Sequence, residues 1–280
     1  MYTDLNRPPL NADALRTALV SGGGDPRAFY SSLDVVAETG STNADLLARS
    51  VDSALDRAVL IAEYQDHGRG RHSRSFVAPP RSSVSVSALL RMPGLPLESM
   101  GWFPLMTGVA VVDALRSVAE VDATLKWPND VQIDGKKVAG ILAEVAATTP
   151  APAVVIGVGL NVTLTEAELP VPTATSLQLA GATVTDRDIL ARALLRSLAA
   201  QYSAWQADGW RVDGLAADYR DRCGTLGQRV RVELPGDTEL IGTATDVDLQ
   251  GRIVVRPDDG GEPVAVSAGD VTHLRPHPAT

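Results

Sequence analysis

Residues 58–74 read AVLIAEYQDHGRGRHSR, and this stretch decides how the chain is organised. Its first part, AVLIAEYQ, is apolar and predicts a buried strand. The part that follows places Arg69, Arg71 and Arg74 among glycines and small residues, which predicts a cationic loop whose backbone can approach an anionic ligand closely. Residues 83–90, SVSVSALL, alternate as a second strand. The loop is therefore held between two strands. Taken alone, such a loop could equally be a solvated linker or an RNA-contacting segment.

Helical and extended patterns continue on both sides of this loop. Helices are predicted after a capping Asn11, over 44–51, over 101–119, from Asp186 onward and over 215–222; further strands are predicted up to Lys126, over 138–146 and over 153–162. In the last of these strands, alternation places Gly157, Gly159 and Asn161 on one face. That face is predicted to be bare enough to receive a flat ligand.

The pattern of apolar and polar residues changes near Cys223 and Gly224. From residue 228 onward, short runs with a period of two are separated by Pro-Gly, Gln-Gly and Gly-Gly turns, which predicts a small all-β barrel. We therefore expect a domain over residues 1–223, with an N-terminal helical extension over 1–32, and a C-terminal domain over residues 224–280.

Composition excludes several classes of protein. The 280 residues are 45% hydrophobic, which fits a globular protein with a good core, and the net charge of −9 argues against a general nucleic-acid binder. The single cysteine, Cys223, excludes a disulfide framework. The first residues lack the pattern of a secretory signal and no window resembles a membrane span, so a cytoplasmic location is expected.

Each polar motif also has a plain structural interpretation. Ser41, Thr42 and Asn43 supply polar groups at a helix amino terminus, and residue type alone favours simple helix capping over ligand binding. Lys126 follows a strand and precedes a proline turn, where a lysine is commonly surface decoration. Lys137, next to Lys136, is typical of a solvated hairpin end. Trp127 is interpreted first as a core residue, which leaves stacking on a ligand as the alternative.

The order of the motifs is more specific than any of them alone. GSTN, Q-x-x-GRGR, KWPND, K-V-AGIL-x-E and GVGLNV follow one another, and then comes the small β domain. Together they resemble the biotin protein ligases, in the form without an N-terminal DNA-binding domain, over nearly the whole chain from Val35 to Leu274. The resemblance implies an α/β (α+β) catalytic domain similar to class II aminoacyl-tRNA synthetases, followed by an SH3-like barrel.

The resemblance also implies roles for individual residues. The biotin-binding residues would be Ser41, Thr42, Asn43, Gln65, Gly68, Arg69, Gly70, Arg71 and Lys126. The ATP or adenylate contacts would be Arg69, Arg71, Arg74, Lys126, Asn129, Lys137 and Asn161. Lys126 and Arg71 would be catalytic. The chain departs from the usual family pattern at Ser73, where glycine is usual, and at Phe76, where tryptophan is frequent.

The implied reaction uses biotin, ATP and Mg²⁺, with the metal carried by ATP rather than held in a metal site of the protein. It forms biotinyl-5′-AMP with release of pyrophosphate and then biotinylates a lysine of a biotin carboxyl carrier domain, as in acyl-CoA or pyruvate carboxylases. We expect a monomer or weak homodimer. One alternative is a lipoate or octanoate ligase or transferase of the same fold. Another is a biotin-responsive repressor, which the acidic charge and the short segment before Val35 disfavour, so no DNA partner is expected.

Overall fold

The computed structural model describes residues 7–22, 28–147, 149, 151–234, 238–268 and 273–276. The larger sheet has seven strands: β1 Ser32–Val36, β2 Ala58–Ala62, β3 Ser83–Arg91, β4 Ala123–Lys126, β5 Asp130–Ile133, β6 Lys136–Ala147 and β7 Ala153–Asn161. Their order in the sheet is β1-β2-β3-β7-β6-β5-β4. Strands β1 and β2 run parallel, and every other neighbouring pair is antiparallel.

Over the described residues, five α-helices accompany the strands: α1 Ala12–Leu19, α2 Thr42–Arg49, α3 Phe103–Val118, α4 Arg187–Ala207 and α5 Asp213–Arg222. Helix α3 is buried nearly throughout and packs on one face of the sheet, as its apolar sequence predicts. Gly108 brings α3 close, because a Cβ atom there would lie 2.7 Å from a methyl carbon of Leu125. Helix α4 packs against α3, and α2 covers part of the opposite face, against β2, β3 and β7.

The C-terminal part is a second, separate sheet. Its strands are β8 Arg229–Leu234, β9 Thr238–Val247, β10 Ile253–Pro257, β11 Val264–Val266 and β12 His273–Pro276, in the order β11-β10-β9-β8-β12. All neighbouring pairs are antiparallel. The expected combination of a mixed α/β part and an all-β part is therefore confirmed. The turn expected at Pro235-Gly236 lies outside the described residues.

Most of the predicted elements are present, with two informative differences. The regular part of β2 ends at Ala62 rather than Gln65, because Gln65 instead forms an isolated bridge with Thr39. Strand β3 is buried on both faces over Ser83–Leu90, although its alternating serines resemble a half-exposed strand. The serine face is buried because α2 lies against it.

Two tryptophans join the C-terminal sheet to the rest of the protein. The indole nitrogen of Trp127 donates to the carbonyl of Gly251 at 3.0 Å, and that of Trp102 donates to the carbonyl of Leu249 at 2.8 Å. Both acceptors lie in the turn between β9 and β10. Trp127 is only 1% exposed, so its interpretation as a core residue is confirmed. Over the described residues, no helix has the length and apolar character to cross a membrane.

Two buried arginines fasten the start of the described chain. Arg187 donates to the carboxylate of Glu63 at 2.6 Å and to the carbonyl of Pro8 at 2.5 Å. Arg7 donates to both carboxylate oxygens of Glu168, at 3.1 and 2.6 Å. The hydrogen bonds from Arg7, and secondarily those from Thr165, lower the pKa of Glu168 from 4.5 to about 2.

The Glu168→Gln variant should lose about 1–2 kcal/mol of unfolding free energy at pH 7, because the charge-assisted pair with Arg7 is lost. The pKa of Glu168 is lowered by folding, so this stabilisation is complete above pH 4.5 and disappears as the pH falls to about 2. Urea unfolding of both proteins at several pH values measures it. Glu166→Gln, an exposed change in the same turn, should stay within about 0.5 kcal/mol of the parent protein. A Glu168→Gln deficit that is equal at pH 7 and pH 3 would contradict the assignment.

Candidate functional site

The face of the large sheet opposite α3 carries a row of residues that crosses five strands. Lys126 pairs with Asp130, Asp130 with Gly140, Gly140 with Gly159, and Gly159 with Ser85. Directly opposed residues of antiparallel strands point to the same face of a sheet. The row therefore has charged groups at one end, a hydroxyl group at the other and a gap of two glycines between them.

The amino terminus of α2 lies over this face. The Ser41 hydroxyl accepts a hydrogen bond from the backbone N–H of Ala44 at 3.4 Å, so the capping interpretation is correct for Ser41. Thr42 has a different role, because its backbone N–H and its hydroxyl both donate to the side-chain oxygen of Gln65, at 2.8 and 3.0 Å. The Thr42 hydroxyl also lies 2.7 Å from that of Ser87. The motif thus caps a helix and fixes a side chain at the base of the arginine loop.

Asn43 makes the closest approach to the sheet. Its side-chain oxygen accepts from the Ser87 hydroxyl at 2.6 Å, and its amide nitrogen donates to the Leu142 carbonyl at 3.2 Å and to the Glu144 carboxylate at 2.8 Å. A Cβ atom at Gly157 would lie 2.2 Å from the Asn43 side-chain oxygen. The glycine is therefore required for this buried network.

The arginine loop folds back on itself before it reaches the sheet. The backbone N–H of Phe76 donates to the Gly68 carbonyl at 2.8 Å, and a Cβ atom at Gly68 would lie 2.1 Å from the Phe76 carbonyl oxygen. The Gly70 N–H donates to the Arg74 carbonyl at 2.7 Å. Between these bonds, the Arg69 guanidinium donates to both oxygens of Glu144, at 2.8 Å each. The loop is thereby connected to the Asn43 network.

Phe76 occupies the place where the sequence predicts a bare surface. A Cβ atom at Gly159 would lie 2.6 Å from the Phe76 ring, so the ring packs directly on this glycine. Gly157 is similarly covered, by Asn43. The alternation that puts both glycines on one face is thus correct, and the flat group that covers Gly159 in this structure is the protein's own phenyl ring.

Arg71 connects the loop to two other parts of the fold. Its guanidinium donates to the side-chain oxygen of Asn129 at 3.2 Å and, through a short hydrogen bond, to the carbonyl of Ala268 in the C-terminal sheet's last described loop. Burial lowers the pKa of Arg71, the carboxylate of Asp130 raises it, and the positive charge of Arg74 lowers it further. A half-buried cation of this kind is stabilised by any anion that comes beside it.

Lys137 and Asn161 both contact the chain at Thr175 through hydrogen bonds. The Lys137 ammonium group forms an ion pair of 2.5 Å with Asp130, and a Cβ atom at Gly140 would lie 3.0 Å from the end of the lysine side chain. The Asn161 amide donates to the Thr175 carbonyl at 2.9 Å, and the Thr175 N–H donates to the Lys137 carbonyl at 2.8 Å. Lys137 is therefore part of the charged end of the row and is not merely a solvated hairpin residue.

The structure thus gathers most of the predicted residues on one face. Arg74 is exposed on the outer side of the loop, where it lines a cavity of about 720 Å³ together with Arg69, Arg71 and Glu144. Motifs and spacing predicted no role for four residues that this site uses, namely Phe76, Ser87, Asp130 and Glu144. Ser87 belongs to an alternating run of serines and Glu144 ends the K-V-AGIL-x-E motif, so both carried a signal.

Comparison with known proteins places the chain among a defined set of relatives. Residues 36–161 match the model of the "Biotin/lipoate A/B protein ligase family", and residues 225–274 match the "Biotin protein ligase C terminal domain". A Biotin--[acetyl-CoA-carboxylase] ligase of Mycobacterium tuberculosis is 49% identical over 97% of this chain and 98% of the relative. The Bifunctional ligase/repressor BirA of Escherichia coli is 31% identical over 82% of this chain and 73% of the relative.

Solved structures agree on the fold. The biotin protein ligase of Aquifex aeolicus in complex with biotin and ATP superimposes with a TM-score of 0.71 at 24% identity, over 89% of this chain and 100% of that chain. At this level of identity the likeness supports the fold and not the individual contacts.

The Gly157→Ala variant should lose about 1–3 kcal/mol of unfolding free energy, because the added methyl group displaces the buried Asn43 side chain and breaks its hydrogen bonds. Chemical denaturation measures the loss. Gly214→Ala in α5 is a matched control, since a Cβ atom there has open space, and it should equal or exceed the parent stability. Equal stability of the two variants would show that Asn43 is not fixed as described.

Proposed function

The chain belongs to the biotin protein ligase family, and on that basis we propose that it is an ATP-dependent biotin--[biotin carboxyl-carrier protein] ligase. The observation that carries the proposal is the layout of the glycine-gapped face. Uncharged hydrogen-bonding groups of Thr42, Asn43 and Ser87 lie at one side. At the other side lie the cations of Lys126, Arg71 and Lys137, the last of them paired with Asp130. Such a face suits a substrate with a polar neutral head and a carboxylate that must meet a nucleotide phosphate.

We place biotin against the amino terminus of α2 and beneath the arginine loop. Thr42, Asn43 and Gln65 offer donors and acceptors there, next to the backbone of Gly68 and Gly70. Ser41 supports this surface through its cap. The adenylate would extend toward the charged end of the row, where Asn129, Lys137 and Asn161 lie. Since Phe76 covers Gly159, its ring would move or become a wall of the pocket when ligands bind.

The first half-reaction joins two anions that repel each other, and the positive charges of the site reduce this repulsion. The biotin carboxylate attacks the α-phosphate of ATP, and pyrophosphate leaves. Lys126 and Arg71 neutralise the repulsion between the reacting groups and hold them in line. Arg71 is well suited, because its burial disfavours an isolated cation. The carboxylate oxygen is itself the nucleophile, so the buried Cys223 takes no part.

The second half-reaction uses an amine from another protein. A lysine of a biotin carboxyl carrier domain attacks the mixed anhydride, forms the amide bond and releases AMP. Water must be kept away from the anhydride until then. We assign this task to the loop with Arg69, Arg71 and Arg74, whose side chains line the cavity through which the lysine would enter.

Magnesium is proposed to arrive with ATP, coordinated mainly by phosphate oxygens and water, since Mg²⁺ prefers such ligands. Within the described residues, no three His, Cys, Asp or Glu side chains are grouped as a metal site. We further propose that the domain boundary lies between residues 223 and 224, that the protein is a monomer or weak homodimer, and that the acceptor is a carrier domain of an acyl-CoA or pyruvate carboxylase.

A lipoate or octanoate ligase is the second candidate function, because the first family model includes both chemistries. The match of residues 225–274 to the C-terminal domain of biotin protein ligases favours biotin.

The decisive experiment is mass-spectrometric detection of acyl-adenylates after the purified protein is mixed with ATP, Mg²⁺ and either biotin or lipoate. Biotinyl-5′-AMP from the biotin tube alone is the expected result. A lipoyl-adenylate would favour the second candidate, and the absence of both products would overturn the catalytic proposal. Addition of a carrier domain then tests transfer, seen as a mass increase on its lysine.

The Lys126→Ala variant should adenylate biotin roughly thirty- to a thousandfold more slowly, because it loses about 2–4 kcal/mol of transition-state stabilisation. Single-turnover formation of the adenylate measures this rate. Lys136→Ala, an exposed change in the same protein, serves as the control and should keep the parent rate. Near-parent adenylation by a folded Lys126→Ala protein would refute the role of Lys126.

A further inference from the structure

Glu144 connects two groups of residues that otherwise belong to separate elements. It stands on β6, and its carboxylate accepts from the Asn43 amide on α2 and from the Arg69 guanidinium on the loop. Asn43 in turn accepts from the hydroxyl of Ser87 on β3, which lies 2.7 Å from the hydroxyl of Thr42. One carboxylate thus bridges the helix and the arginine loop across the sheet.

Both the charge and the length of this side chain matter for the bridge. A carboxylate has two acceptor oxygens and carries no hydrogen to repel the donors of Asn43 and Arg69. Oε2 accepts from both donors, whereas Oε1 accepts from Arg69 alone. A glutamine that kept its oxygen at the Oε2 position would lose the negative charge and turn its NH₂ group toward the Arg69 cation. The Glu144 side chain is 26% exposed and that of Arg69 is 43% exposed, so the pair lies at the mouth of the cavity and not in the core. Its location favours a role in positioning the loop over one in stability.

We propose that Glu144 is a positioning residue, which ties Arg69 to Asn43 and thereby holds the arginine loop over the side of the site where biotin binds. The inference rests on the proposed function, since it assigns the loop to biotin and its adenylate. When Glu144 loses its charge, Arg69 loses its fixed partner, and the loop is held less tightly over the substrate. Glu144 does not touch the reacting atoms in this account, so the chemical step itself is little changed.

The test combines the variants Glu144→Gln, Arg69→Ala and both together. Glu144→Gln should raise the KM for biotin and the escape rate of biotinyl-5′-AMP roughly tenfold, with kcat for adenylation within about threefold of the parent. Arg69→Ala should raise the same two quantities at least as much. The double variant should have a KM and an escape rate within about twofold of those of Arg69→Ala, because the loss of Glu144 matters only through Arg69. Glu98→Gln, an exposed change in the turn before α3, is the matched control and should behave as the parent protein.

A second measurement needs no substrate and separates this inference from the proposed function. In the ligand-free protein, trypsin should cleave after Arg71 more quickly in Glu144→Gln than in the parent or in Glu98→Gln. If the parent makes no biotinyl-adenylate but cleavage is still faster, the function is wrong and the positioning role stands. Additive effects in the double variant, unchanged cleavage, or tighter retention of the adenylate by Glu144→Gln would each overturn the inference.

Discussion

The site depends on one steric constraint, the absence of side chains at Gly157 and Gly159 of β7. A Cβ atom at either position would lie well inside the contact distance of a neighbour, Asn43 in one case and Phe76 in the other. Without the two glycines, α2 and the arginine loop would be pushed away from the sheet. The hydrogen bonds of Asn43 with Ser87 and Glu144 would then be lost together.

This close approach also strengthens the electrostatic interactions at the site. The groups that the glycines admit are only partly exposed to water, so charges there interact more strongly than on an open surface. Burial works against the Arg71 cation and Asp130 works in its favour, which leaves the guanidinium ready to gain from a further negative charge. An anionic ligand would supply that charge.

The sequence predicts this protein well where local rules decide. Asn11 caps α1 as its residue type suggests, and period two places Gly157, Gly159 and Asn161 on one face. It predicts poorly where distant segments meet. Phe76 lies on Gly159 and Arg71 contacts Ala268, which is 197 residues away, and no spacing or propensity encodes such pairs. Glu144 is the last residue of the K-V-AGIL-x-E motif, but only the structure shows that it contacts both Asn43 and Arg69.

The Trp127 indole donates to the Gly251 carbonyl and so ties the catalytic part of the chain to the C-terminal sheet. This contact limits the exchange of C-terminal domains between relatives. The tryptophan follows Lys126 directly, so the C-terminal sheet buttresses the turn that carries a proposed catalytic lysine. Gly251 has a φ of +75°, and a Cβ atom there would also lie 2.8 Å from Leu105. A C-terminal domain transplanted from another family member would therefore have to reproduce this tight turn. The two parts form a matched set rather than interchangeable modules.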